Sequence, residues 1–432
     1  MKMLFAAVFA VALSFGSAQA IDIEKVVSPG GVTAWLVSDD TVPLVAVDIA
    51  FERAGSIQDP EGKAGLVNLL ASTIDEGAGD LDSVGFQTAL KDNAVRLSFD
   101  GSRDHLYGNI RTVSTSVEEG FDLLRLALTD PRYDAEAVER IRRQIVSGLR
   151  REENDPNAIV GKLWSRTVFP DHPYGTPSNG TEETVSSVTP EDLRAAHDNL
   201  IARDNLYVAV VGAIDAETLA PLLDRAFGDL PAKATLKSVP DVQPAMGLTV
   251  RQEVSTPQTA IRFGGPGLER EDEDFIPAFV MNHILGGSAF SSWLFEEVRE
   301  KRGLAYSVYS YMAPFEHAAV YGGGTATRND QADQAIEVIL AQLNRMATDG
   351  PTEEQLADAK AYLTGSYALR FGTSGSIARQ LLFLQMEELG MEYIEERNGL
   401  IEAVTLDDVR RAASRIFGNG QPTVAIAGGV SG

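Results

Sequence analysis

Apolar and polar residues alternate from Thr33 to Val37 and again from Leu44 to Phe51, on either side of a turn that holds Pro43. A period of two predicts two strands, each with one face toward a core. The layout returns later as Leu248 to Val254, a break at Pro257, and Ala260 to Phe263. In each half the second strand leads to a glycine, Gly55 or Gly267. Beyond these strands the period lengthens to that of a helix. "FDLLRLALTDPRYDAEAVERIRRQI" and "IEVILAQLNRMATDGPTEEQLADAKAYL" each predict a helix, a turn with Pro131 or Pro351, and a second helix. Each half then closes on an unbroken apolar run, "NLYVAVVG" or "PTVAIAGG", the mark of a buried strand.

Pro257 follows Pro43 by 214 residues and Pro351 follows Pro131 by 220. So constant an offset across separate elements predicts a tandem duplication. Between the copies, "DLPAKATLKSVPDVQPAMG" holds three prolines and no apolar period, and reads as a linker. The expected organisation is a domain at 21–230, a linker at 231–247 and a second domain at 248–432. Each should be α+β, a largely antiparallel sheet with helices packed on one face.

Composition narrows the setting. Residues 1–20 place Lys2 before an apolar run from Leu4 to Leu13 and end on Ala18-Gln19-Ala20, which predicts a cleaved secretory signal and a periplasmic address. No apolar run reaches the roughly 20 residues of a membrane span. The absence of cysteine removes disulfides and thiolate chemistry. A formal charge of -25 argues against a nucleic-acid partner, which requires clustered Lys and Arg. The same charge suits either solubility or a taste for basic peptides.

Candidate chemistry is sparse. His105, His172, His197, His283 and His317 never fall three or four apart, so no helix offers two imidazoles to one metal. The run "EREDED" (269–274) reads as a solvated loop. Neither a nucleophile elbow nor a phosphate-binding loop occurs. His172 and Tyr174 read as structural, with no metal or acid partner in view. One helix, "GLVNLLASTIDEG" (65–77), carries a polar pair, Asn68 and Ser72, four apart on an otherwise apolar face. In the second half, "FVMNHILGGSAFSSWLFEEVREKRGLAYSVYSY" predicts a helix, a loop at Gly286-Gly287-Ser288, a helix capped by Ser291 or Ser292, and a strand from Leu304 to Tyr311. Arg299 falls in the last turns of that helix, and Leu304, Tyr306 and Val308 should share one face of the strand. Glycine turns at Gly286-Gly287 and Gly322-Gly323-Gly324 are ordinary turns or places where a peptide backbone can approach.

The stretch "LFEEVREKRGLAYSVYS" resembles the Arg/Tyr substrate-binding segment of the pitrilysin/insulinase family of zinc peptidases. "FPDHPYGTPSNGTEETVSSVTPEDLRAAHDN" and "ARDNLYVAVVGAID" are similar to further segments of that family, in the same order, and the duplication agrees with its architecture. The family's zinc motif is H-x-x-E-H, two histidine ligands and a glutamate base on one helix. Laid on this chain, the motif falls on Asn68, Ala71 and Ser72, and its third ligand near Ser147-Gly148-Leu149, shortly before Glu152 and Glu153. The resemblance therefore implies a chain that holds no zinc. It would pair with a homologous subunit carrying H-x-x-E-H and the zinc, and would supply Arg299 and Tyr306 to a shared peptide substrate, with Gly286, Gly287 and Ser288 beside it. The alternative is a catalytically inactive peptide-binding or scaffold subunit.

Overall fold

A computed structural model describes residues 21–429; the expected signal segment at 1–20 lies outside the described residues. Six strands of the first half form one sheet: β1 (Glu24–Val27), β2 (Thr33–Ser38), β3 (Leu44–Phe51), β4 (Arg96–Gly101), β5 (Leu106–Val113) and β6 (Leu206–Gly212), in the order β1-β2-β6-β3-β5-β4. Five strands of the second form another: β7 (Thr249–Gln252), β8 (Gln258–Pro266), β9 (Ala305–Phe315), β10 (Ala318–Arg328) and β11 (Thr423–Ala427), in the order β7-β11-β8-β10-β9. One pairing in each sheet is parallel, β2 with β6 and β7 with β11, and the rest are antiparallel. The last strand of each half is thus inserted between its earliest ones. That is why β6 and β11 are apolar throughout: both of their faces are covered. The helix pairs flanking Pro131 and Pro351 form at Val117–Thr129 with Ala135–Glu152, and at Ala332–Thr348 with Glu353–Gly365.

Each half packs its own helices on one sheet face. In the first, Val45, Val47, Ile49 and Phe51 of β3 meet Leu69, Phe121 and Leu124. In the second, Ile261 and Phe263 of β8 meet Met281, Leu285 and Ile339. The opposite faces are not left to solvent. Helix Ser374–Met386, from the second half, lays Ile377, Ala378, Leu381 and Leu382 on Ala46, Ala50, Ala209 and Val211 of the first sheet. Helix Pro156–Val168, from the first half, lays Val160, Leu163 and Trp164 on Ala260, Ala425 and Ala427 of the second. The alanines keep these sheet faces shallow enough for a helix to sit close. The two halves therefore exchange one helix each.

Residues 231–247 carry no helix or strand, yet they are pinned on both sides. Lys237 N–H donates to the Gln58 side chain (2.9 Å), Val242 N–H to the His317 carbonyl (2.8 Å), and Ala245 N–H to the Val168 carbonyl (2.9 Å). Two local expectations change. Gly322, Gly323 and Gly324 lie mid-strand in β10, not in a turn. A side chain at Gly322 would stand 2.9 Å from the Tyr311 ring and one at Gly324 3.2 Å from the Tyr309 hydroxyl, so the glycines let two neighbouring aromatics lie against the strand. The acidic run is not wholly solvated either: Asp274 is 1% exposed and accepts from Arg411 (2.6 Å) and Arg415 (2.8 Å) of helix Leu406–Phe417.

Candidate functional site

Arg299 and Tyr306 are brought together by two irregular elements. Helix Phe275–Asn282 does not break into a loop at the glycines but widens into a π-helical turn, His283–Gly287. A second π-helical segment, Phe295–Glu300, carries Arg299 at its end. Such segments are rare and mark functional sites more often than chance. Its buried Glu297 is taken by Lys301 (2.7 Å) and Arg302 (2.5 Å). Among the described residues Arg299 has no carboxylate partner; its guanidinium carbon lies 4.8 Å from the Phe295 ring centre and 4.5 Å from that of Tyr306.

Strict alternation would turn Tyr306 inward with Leu304 and Val308. Instead the β9–β10 register jumps between Val308, opposite Thr325, and Ala305, opposite Thr327. Two residues, Tyr306 and Ser307, face one, which is a β-bulge. Buried Thr325 and Thr327 donate their hydroxyls to the carbonyls of Ser307 (2.7 Å) and Leu304. Leu304 and Val308 stay in the core while Tyr306 swings out, 81% exposed, beneath Arg299. Gly286 is buried, and a side chain there would meet the Ser310 hydroxyl at 2.4 Å; its smallness serves the packing of helix on strand. Gly287 is exposed and Ser288 half-buried, its hydroxyl 2.7 Å from that of Ser291.

At the other expected site, the helix is only Leu66–Ala71. Ser72 and Thr73 end it by bonding back to the carbonyls of Asn68 (2.8 Å) and Leu69 (2.7 Å). Asn68 and Ser72 are half-buried on one side, but Ala71 is 2% exposed and belongs to the first core. On helix Ala135–Glu152, Ser147 is exposed and Glu152 turns away to Lys162 (2.8 Å). Among the described residues no three His, Asp or Glu side chains converge as a metal site. This donor set does not fit zinc: an amide, a methyl and a hydroxyl replace two imidazoles and a carboxylate. Restoring the glutamate alone should be costly. Ala71→Glu is expected to lower stability by about 3 kcal/mol in urea melts, because it buries an unpaired carboxyl among leucines. Wild-type stability in that variant would mean the core has room for the acid.

Residues 187–363 match the peptidase M16 inactive domain. That stretch of the chain is similar to an M16 peptidase domain. It is 26% identical over 419 residues to an uncharacterized zinc protease of Streptomyces coelicolor, covering 94% of this chain and 89% of that one. It is also 26% identical over 338 residues to the non-peptidase homolog YmxG of Helicobacter pylori, covering 78% and 77%. A solved M16 inactive domain from Pseudomonas fluorescens shares the fold with a TM-score of 0.89 at 23% identity, over 95% of this chain and 98% of that one.

The chain also holds a cluster that residue patterns did not reveal. Tyr174 does have an acid partner: its hydroxyl donates to Asp104 (2.6 Å) and accepts from His317 N–H (3.0 Å), joining the β4–β5 turn to the β9–β10 turn. His172 Nε2 bonds the Pro240 carbonyl (2.9 Å). Both residues tie the halves together. Beside them, His105 Nε2 lies 3.6 Å from a Glu316 carboxyl oxygen. Burial, then the nearby Glu52 and Asp104 carboxylates, push Glu316 up to about 7. Burial, then Arg53, push His105 down to about 4. Between about pH 4 and about pH 7 this contact therefore joins neutral groups, not ions. A carboxyl whose folded pKa exceeds its unfolded value contributes stability below the unfolded pKa and loses it as pH rises through the folded one. For Glu316 that window runs from about 4.5 to about 7. Glu316→Gln should accordingly raise Tm at pH 8, by roughly 2–4 °C per kcal/mol recovered, and raise it much less at pH 5. An equal shift at both values would deny that the carboxylate is the cause.

Proposed function

We propose that this chain is the zinc-less subunit of an exported, two-chain M16 peptidase. A homologous partner carrying H-x-x-E-H holds the zinc, and this chain supplies Arg299 and Tyr306 to the bound peptide. The observation that carries the reading is the Arg299–Tyr306 stack. It combines a guanidinium without a carboxylate partner and an exposed phenol, which a bulge turns out of the strand. The phenol hydroxyl can donate to a peptide carbonyl oxygen as negative charge develops there, and the guanidinium keeps positive charge beside it. The zinc-motif positions of this chain play no part in that step.

A second reading, a subunit that binds or holds peptides without taking part in cleavage, is favoured by the names of the relatives, an inactive domain and a non-peptidase homolog. One assay separates them: cleavage of quenched fluorescent peptides by this chain, by a co-expressed H-x-x-E-H homologue, and by the two mixed. Cleavage in the mixture alone, stopped by a chelator, supports the shared site. A homologue equally active by itself overturns it in favour of the second reading.

A further inference from the structure

Between the exchanged helix Pro156–Val168 and residues 175–179, beside Arg262 of the second sheet, lies a cleft of about 420 Å³. It is lined by arginines from both halves, Arg103 of the β4–β5 turn and Arg262 of β8, together with Ser165. Arg103 spends one N–H on the Tyr174 carbonyl (2.6 Å) and another on the Ser165 hydroxyl (3.2 Å). Arg262 reaches only the Tyr311 hydroxyl (3.3 Å). Neither forms an ion pair among the described residues, and neither has a sealed, unpartnered nitrogen, so the remaining N–H groups open onto the cleft. The cleft's two carboxylates are already used: Glu152 by Lys162 (2.8 Å), and Asp155 as the cap of the exchanged helix at Asn157 N–H (2.9 Å).

Holding two guanidiniums close together and partly out of water is unfavourable unless an anion joins them. The duplicated half shows what a closed version looks like. Asp48 of β3, 214 residues before Arg262, occupies the matching place in its sheet and is paired with Arg111 (2.7 Å). In the second half that place is an arginine, with no counter-ion paired to it among the described residues. In a molecule with a net charge of -25, a cleft that keeps two arginines, of which only Arg103 has a carboxylate (Asp104) close enough to act on it, offers a place for an anion.

We infer that this cleft binds a carboxylate of the peptide held at Arg299 and Tyr306, gripped by the forks of Arg103 and Arg262; the inference rests on the peptide-binding reading above. Tyr311, the hydroxyl partner of Arg262, lies five strand positions along β9 from Tyr306, about 16 Å. A peptide extended along that edge strand spans the gap with about five residues, and an acidic group at its far end falls in the cleft.

The test uses the full mature chain and fluorescein-labelled peptides of one sequence. One ends in a free carboxylate, one in an amide, and one in an amide preceded by glutamate. Anisotropy should show at least one acidic form binding about tenfold more tightly than the neutral amide. That advantage should vanish in Arg262→Gln and return in part in Arg262→Lys, with circular dichroism confirming that both variants fold. Which acidic form gains shows whether the chain end or a side chain is read. Equal binding of all three peptides to the wild type overturns the anion site while leaving peptide binding intact. Binding of none overturns the peptide reading, and with it a peptide as the source of the carboxylate. In that event, a rise in Tm with inorganic phosphate, present in wild type and absent in Arg262→Gln, retains the anion site with a free anion as its ligand. No rise overturns the site too.

Discussion

In the proposed two-chain peptidase, Tyr306→Phe is expected to slow peptide cleavage about 10²–10³-fold, with Tm and affinity for the proposed partner unchanged. The substitution removes one oxygen. The ring stays, so its stack with Arg299 at 4.5 Å survives, and because the side chain is 81% exposed no core contact is lost. A donor that strengthens only as charge develops on the carbonyl oxygen acts on kcat and leaves KM nearly constant. A rise in KM alone would show that Tyr306 merely holds peptide. An unchanged rate would remove it from the reaction. Arg299→Ala should do at least as much harm, since it takes away both the positive charge and the lid over the phenol.

Trp164→Ala should destabilise the chain by about 3–5 kcal/mol and split its calorimetric transition in two. Trp164 is 4% exposed and sits on the helix that the first half lends to the second sheet. Its indole N–H donates to the Thr423 carbonyl of β11 (3.3 Å), and its ring edge fills the space where a side chain at Gly264 would stand, 2.8 Å away. Phe169 meets it edge-on at 6.2 Å. Truncation opens a cavity at the contact that makes the halves fold as one. Cooperativity should therefore suffer along with stability. A single transition shifted by less than about 1 kcal/mol would mean that the exchanged helix does not couple the halves.

Local pattern was enough for much of this molecule. The alternation at Thr33 to Val37 and at Leu44 to Phe51 defines β2 and β3 because one face of the sheet takes bulky residues under the first half's own helices, while the other keeps alanines under helix Ser374–Met386. The apolar runs at β6 and β11 announced strands covered on both sides. Duplication, the absence of H-x-x-E-H and the Arg/Tyr segment are likewise properties of residue order. The misread places are those where a distant residue changes a local rule. Tyr306 leaves the alternation because Thr325 and Thr327, on the neighbouring strand beyond one hairpin turn, satisfy the carbonyls that a bulge sets free. The three glycines of β10 look like a turn until Tyr309 and Tyr311 are seen lying across them. Asp274 looks solvated until Arg411 and Arg415 arrive from a helix more than a hundred residues on.

By itself, then, the sequence determined most of the strands and helices and that the chain is two related halves, since periodicity and residue chemistry are carried within each segment. Only the tertiary structure decided which sheet each exchanged helix covers, which way Tyr306 points, and that Arg103 and Arg262 line one cleft. An apolar helix face or a lone arginine carries no record of its partner, and these partners come from the opposite half of the chain or from a neighbouring strand.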